Sequence, residues 1–327
     1  MRTTFCKPCV KSFPGGWTQG INFSSYTKTS LIALLLNYYL AFMKKIILAL
    51  LVLAGSAGLT RAVAQYESTV MEGEFGISAG AAHYFGDLNT RAAINRPKPA
   101  IGLFFRKQFG NYIGMRISGH YLQLGYSDIY NTNNEFQKRR NLSFNTNVFE
   151  IALQGDFNFF KFVPGDPYHR FTPYVTLGVG VFSYDPYAYY RGQKIALRSL
   201  GTEGQGNAAY PDRQPYGSMG ICLPFGVGAK YSINPRMNVG LEITHRFTNA
   251  DYIDDVSKTY AGASRFPSLP DGQPSMGQLM QNRSYETGEP IGIEGRQRGL
   301  PNQKDQYVIA ELTFSFNLTS YRCPTAD

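Results

Sequence analysis

From residue 72 onward the chain alternates between apolar and polar positions. In "QYVIAELTFSFNL", Val308, Ala310, Leu312, Phe314, Phe316 and Leu318 share one side, while Tyr307, Ile309, Glu311, Thr313, Ser315 and Asn317 share the other. "RMNVGLEITHRF" divides the same way, with Met237, Val239, Leu241, Ile243 and Phe247 opposite Asn238, Glu242, Thr244 and Arg246. A period of two gives a strand with two unlike faces. Six further segments fit, at 72–84, 99–107, 112–124, 142–160, 172–184 and 220–231, which with 236–247 and 306–318 predict eight strands. Helical periodicity is almost absent beyond the first 64 residues, so the fold class is all-β.

The connections alternate in length. Those near "FGN", "KFVPGDPYHRF" and "SINP" are short or of medium length; those at about 85–98, 125–141, 185–219 and 248–305 are longer. In an up-and-down barrel, alternate connections lie at opposite ends, so all the long loops would share one side. Outer-membrane barrels are built this way, with short periplasmic turns and longer extracellular loops. An even strand count places both termini in the periplasm.

Closure as a soluble barrel would turn the apolar face inward and the charged face outward. Here long aliphatic and aromatic residues occupy one complete face, which suits lipid; the other carries charges, which suits a lumen. The expected architecture is an eight-stranded antiparallel up-and-down transmembrane β-barrel of the outer membrane. The abundant Tyr and Phe fit aromatic girdles, with Tyr84, Phe85, Tyr184, Phe247 and Tyr252 near one rim and Phe157, Phe159, Tyr231, Phe314 and Phe316 near the other.

Strand parity points Arg106, Arg116, Lys230 and Arg246 inward, together with Glu150, Asp156, Glu242 and Glu311. Four positive groups face four negative ones. An eight-stranded barrel is just wide enough for side chains to fill, so a paired plug is expected. A selective channel would need an excess of one sign or more strands.

The net charge is dominated by the N-terminal region. "MKKIILALLVLAGSAGLTRAVAQ" from Met43 has the two lysines, apolar run and Ala62-Val63-Ala64 ending of a secretory signal peptide. Residues 43–64 are therefore expected to be the signal peptide, 1–42 an upstream region preceding the true start, and 65–327 the barrel. The other reading makes 1–64 a long leader or anchor. Its apolar stretch from Leu31 to Phe42 is shorter than the roughly 20 residues a bilayer needs. Without the seven basic residues of 1–64, 25 basic residues remain against 23 acidic, and the formal charge falls from +9 to +2. The basic balance thus gives no argument for nucleic acid. Trp17 and the Cys6-x-x-Cys9 pair leave with the leader. Cys222 and Cys323 are expected at opposite ends of a wall about 25 Å tall, too far apart for a disulfide.

Catalytic chemistry has little support. His245 faces outward near the long-loop rim, and Ser257 and Asp254 follow it, but nothing in the sequence brings the three within hydrogen-bond reach. His83 and His120 fit a girdle or the lumen, and His169 a turn. Asp251, Asp254 and Asp255 in "NADYIDDVS" have cation-binding oxygens but lack the spacing of an EF-hand loop; a solvated acidic segment is expected. No cofactor motif or phosphate cradle is present. In loop three, "LRSLGTEGQG" carries Gly201, Gly204 and Gly206, which suit a structured loop over the barrel mouth.

Several segments occur in an order that resembles a known family: "AAHYFGDLN", "RNLSFNTNVFEI", "TPYVTLGVGVFSYDP", "LGTEGQG", "PFGVGAKYSIN" and "LEITHRFTNADYIDDVS". They are similar to PorG-like outer-membrane proteins of the type IX secretion system of Bacteroidota, over roughly 72–316 and loosely across 258–305. The resemblance implies an eight-stranded barrel in contact with outer-membrane lipid. It also implies a non-enzymatic role beside a periplasmic ring built from a lipoprotein and its partner, with no catalytic residue or small-molecule substrate to carry over. The chain departs from a usual barrel ending in continuing past Phe316 as "NLTSYRCPTAD". The turn residues Lys161, Pro164, Asp166, Pro167, Tyr168 and Arg170 are the candidate contact with the ring, the two prolines stiffening it. A stand-alone structural or adhesive barrel and a lipid-modifying enzyme are the competing functions.

Overall fold

The computed structural model describes residues 69–131 and 133–321. The expected signal peptide, the upstream region, the Cys6/Cys9 pair and Cys323 lie outside them. The described residues form β1 (Thr69–Phe85), β2 (Lys98–Phe109), β3 (Ile113–Ser127), α1 (Glu135–Arg140), β4 (Ser143–Asn158), β5 (Phe171–Ser183), β6 (Tyr187–Tyr190), β7 (Gln193–Ala196), β8 (Met219–Asn234), β9 (Met237–Thr248), α2 (Met276–Gln281) and β10 (Gln306–Tyr321). Eight long strands close an antiparallel barrel: each pairs with its neighbour, β1 with β10 and β3 with β4 included. Every predicted strand is present, with ends displaced by no more than three residues.

Alternation decides which way each side chain points. On β4, Phe149, Ile151, Leu153 and Phe157 face out, while Val148, Glu150, Ala152, Gln154 and Asp156 are buried. The outer wall carries a belt of exposed apolar groups, including Ile101, Leu103, Phe105, Ile117, Val179, Val227, Leu241 and Leu312. An apolar outside around a charged inside is the inverse of a soluble barrel and matches the outer-membrane type.

The short connections, 110–112, 159–170 and 235–236, share one end with Thr69 and Tyr321. The four long ones, 86–97, 128–142, 184–218 and 249–305, share the other. These long loops form a folded cap. The β6–β7 hairpin extends the wall, touching β4 through the single bridge Asn145↔Tyr187. Helix α1 is held by the Asn134 side chain, which accepts from the Gln137 N–H at 3.2 Å, and ends at Asn141 in the left-handed conformation. Leu88, Leu197, Ile253, Val256 and Met280 give the cap an apolar interior continuous with the upper lumen.

Candidate functional site

Three features position chemistry: the lumen, the cap and the projecting turn between β4 and β5.

All eight charges predicted for the lumen are buried there. Register brings them together. Arg106 sits opposite Glu74 across β1–β2, and its guanidinium holds both Glu74 oxygens, at 3.2 and 3.1 Å, as well as Asp156 Oδ2, at 2.6 Å. Arg116 grips Glu242 with two bonds of 2.7 and 2.8 Å, and the Tyr174 hydroxyl donates to the same carboxylate at 2.5 Å. Nearer the cap, Arg246 meets both oxygens of Glu150 at 3.3 Å, and Tyr307 donates to Glu150 at 2.6 Å. A buried charge is tolerated when pairing and further hydrogen bonds replace its water.

The four-against-four expectation needs two additions. Glu74 is a fifth lumen acid, bonded by Ser315 as well as Arg106. His120 lies between Glu150, 3.5 Å from Nδ1, and Glu311, 3.4 Å from Nε2. Each ring nitrogen therefore faces a carboxylate from a different strand. Lys230 is buried as expected but forms no ion pair among the described residues; its ammonium lies 4.7 Å from the Phe162 ring centre and 5.5 Å from that of Tyr174. Phe162, from the turn, thus closes the short-turn end.

At the opposite end the four long loops are knitted by buried polar groups. Arg298 donates to Glu203 at 3.1 Å and to the Asp255 carbonyl at 2.5 Å, joining loops three and four. Asp255 also accepts from Thr202 and Tyr216, each at 2.6 Å. Arg140 holds Asp128 by two 2.7 Å bonds and reaches the Asp87 carbonyl at 3.1 Å, adding loops one and two. Gly204, at φ +79°, lets loop three pass where a Cβ would meet the Tyr210 ring at 2.7 Å. Loop three is folded over the mouth, as its glycines suggested.

The acidic segment is not solvated as expected. Asp254 and Asp255 are buried and Asp251 is half-buried, all drawn into the cap by bonds to Tyr84, Tyr216 and Ser257. Burial pushes the Asp255 carboxyl up to about 6 against the opposing pull of Arg298. It pushes Asp87 up to about 7 against the Leu300 N–H and Arg140. Asp254 and Asp305 are held well above the usual range by burial and by neighbouring acids. Among the described residues no group of three or more His, Cys, Asp or Glu side chains is arranged around a metal position.

Three expected girdle residues are also misplaced. Tyr84 and Tyr184 point inward, and Tyr252 bonds Glu203 at 3.2 Å inside the cap. Phe247, Phe157, Phe159, Tyr231 and Phe316 do face outward. The candidate nucleophilic set is dispersed: His245 bonds Gln306 at 2.6 Å, Ser257 bonds Asp251 at 2.6 Å, and Asp254 accepts from Tyr84. Cys222 is a free, buried thiol.

The turn 159–170 is ordered by its own backbone. Val163, Asp166 and His169 bond one another in succession, and His169 Nδ1 meets Asp166 at 2.6 Å. Gly165, at φ +87°, packs where a Cβ would strike Pro235 of the next turn at 2.7 Å. Its tip presents Pro167 and Tyr168, the latter 92% exposed. Lys161, Pro164, Asp166 and Arg170 are half-buried along its flanks.

A family model described as a domain of unknown function, DUF6089, matches residues 56–266, which include seven of the eight barrel strands. The chain belongs to the DUF6089 family. No curated protein matches its sequence. Among solved structures, this DUF6089 barrel is similar to Ail, the attachment invasion locus protein of Yersinia pestis (11% identity, TM-score 0.35, covering 76% of this chain and 100% of that one). It is also similar to Neisserial surface protein A (7%, 0.36, 77% and 100%) and to the outer membrane enzyme PagL (11%, 0.28, 75% and 99%). These distant likenesses do not decide function.

Proposed function

We propose that this DUF6089 protein is a non-enzymatic outer-membrane component of a type IX secretion system, its short-turn end and both termini in the periplasm against a ring lipoprotein and that lipoprotein's partner. The observation that carries the reading is the pairing of a filled lumen with a stiff, exposed turn. Charge pairs occupy the barrel, Phe162 closes one end and the cap the other, so the two ends are left as the working surfaces. The turn with Tyr168 at its tip suits a protein contact, because a rigid exposed aromatic offers area at little entropic cost. The ordered segments that resemble those of PorG-like proteins support a periplasmic ring lipoprotein as the partner.

The test is a cross-linked pull-down of the tagged barrel from outer membranes, read by mass spectrometry. Recovery of a periplasmic ring lipoprotein is the expected result. Recovery of the barrel alone, alongside an efficiently cross-linked control, would turn the assignment to a stand-alone structural or adhesive barrel. A lipid-modifying enzyme would require His245: the lipid profile of cells carrying His245→Ala is expected to be unchanged, since the ring is tied to Gln306.

A further inference from the structure

The barrel wall has a notch at its long-loop end. Pairing between β4 and β5 stops at Phe149↔Ser183, yet β4 continues to Ser143. The β6–β7 hairpin partly fills the space with its single bridge to Asn145. Between them lies an outward-opening cleft of about 450 Å³. Its lower edge is Phe149, 61% exposed, continuous with the outward Ile151 and Val181 of the lipid-facing belt. Its upper edge carries Lys194 and Arg198, and Tyr187, Ser183 and the acid Asp185 are among the other residues that line it.

The hairpin explains the chemistry. Cross-strand pairing puts Ala188 and Ile195 on the face packed against the core, which leaves Tyr187, Tyr189 and Lys194 on the outer face. From Tyr187 to Arg198, "YAYYRGQKIALR" contains three cations and no acid. Arg198 is paired with Asp185 at 2.9 Å. Lys194 forms no ion pair among the described residues; its ammonium sits 3.9 Å from the Tyr187 ring centre, exposed to solvent. An ammonium held by an aromatic ring and by no carboxylate, and a neighbouring guanidinium shared with Asp185, stand above an apolar wall. They meet the needs of an amphiphile with a phosphorylated head: cations for the phosphate, Ser183 and the tyrosine edge for polar groups of the head, Phe149 and the belt below for acyl chains.

We propose that this cleft binds the phosphorylated headgroup of an outer-leaflet glycolipid, with Lys194 as the principal phosphate contact. The assignment rests on the membrane orientation given above, which turns the long-loop end outward. It does not depend on the ring, which would engage the opposite end.

Binding is measured by native mass spectrometry on the intact barrel purified in detergent, its fold verified by the heat-dependent shift in gel mobility. Diphosphoryl lipid A is the probe, dephosphorylated lipid A and inorganic phosphate the comparisons. Diphosphoryl lipid A should bind about tenfold more tightly than the dephosphorylated form, and Lys194→Gln with Arg198→Gln should remove that difference while Lys194→Arg keeps it. Equal binding of the two lipids, or a double variant that still discriminates, would overturn the proposal. Inorganic phosphate displacing lipid A at matching concentration would reassign the cleft to a free anion. The double variant should still recover the ring in the pull-down, so this proposal and the secretion role can fail separately.

Discussion

Arg116 on β3 reaches across the lumen to clasp Glu242 on β9 with two hydrogen bonds of 2.7 and 2.8 Å. The link matters because register sets Glu242 directly opposite Glu311 on β10, a like-charge pair that would weaken the sheet if left alone. Arg116 draws one carboxylate toward its side while His120 faces the other. Removing one member of such a buried pair strands its partner and costs about 3–5 kcal/mol, whereas replacing both by apolar groups of similar volume costs far less. Arg116→Met should therefore lower the urea midpoint of the reconstituted barrel sharply, and Arg116→Met with Glu242→Leu should restore much of the loss. Unfolding followed by far-ultraviolet circular dichroism checks both. Equal loss in the single and double variants would mean the pair is not the stabilising unit.

The same network forbids a wide pore. Arg106, Arg116 and Arg246 lie inside the wall and are bonded to acids on facing strands. Phe162 closes the lower end beneath Lys230. In planar bilayers the protein should show no conductance at porin level. Phe162→Ala alone should not change this, because the charge pairs above it remain.

The cap should respond to pH with a definite sign. An unfolded aspartate titrates near 3.9, but Asp255 is pushed up to about 6 and Asp87 to about 7 by burial. Asp254 and Asp305 are shifted in the same direction. The Tyr84 hydroxyl has one hydrogen and lies 2.5 Å from Asp254 and 2.9 Å from Asp305, so a proton on one of those acids completes the contact. The closed cap therefore holds protons that opened loops would release. Its stabilisation is fully present below about pH 4 and is lost as pH rises through about 6 to 7. Limited proteolysis within 249–305 should be slower near pH 5 than near pH 8, using a protease calibrated at both. Asp254→Asn should flatten the difference.

Much of the barrel is legible in the sequence because each strand has two unlike faces, and a two-residue period needs no knowledge of partners. Parity alone places Glu242, Arg246 and Glu311 inside. The same rule carries Glu74, which shares its parity with the inward Ser78 and Ala82. Tyr84 has that parity too, but a tyrosine at a strand end resembles a girdle residue until the Asp254 and Asp305 partners are seen. The cap gives no such local signal. Glu203 and Arg298 are separated by 95 positions, and Asp255 reads as a solvated acid because the groups that bury it come from another loop.

The turn between β4 and β5 offers a cleaner test than deletion. Replacing 161–170 wholesale would also remove Phe162, which covers Lys230, and would confuse contact with closure. Tyr168 is nearly free of the barrel and donates only its backbone N–H, to Asp166, so its ring can be removed without opening the lumen. Tyr168→Ala should leave gel mobility unchanged and the unfolding free energy within about 0.5 kcal/mol of the parent. If the turn meets the ring, the same change should reduce ring recovery about tenfold or more, as expected for an exposed aromatic that becomes an interface anchor. Gly165→Val is the complementary change: its φ of +87° and the nearby Pro235 resist a branched side chain, so the tip should shift while Tyr168 is retained. Loss of ring recovery in both variants would tie the contact to the shape of the turn. Unchanged recovery in both would remove the turn from the interface and leave the remaining short-turn rim to be searched.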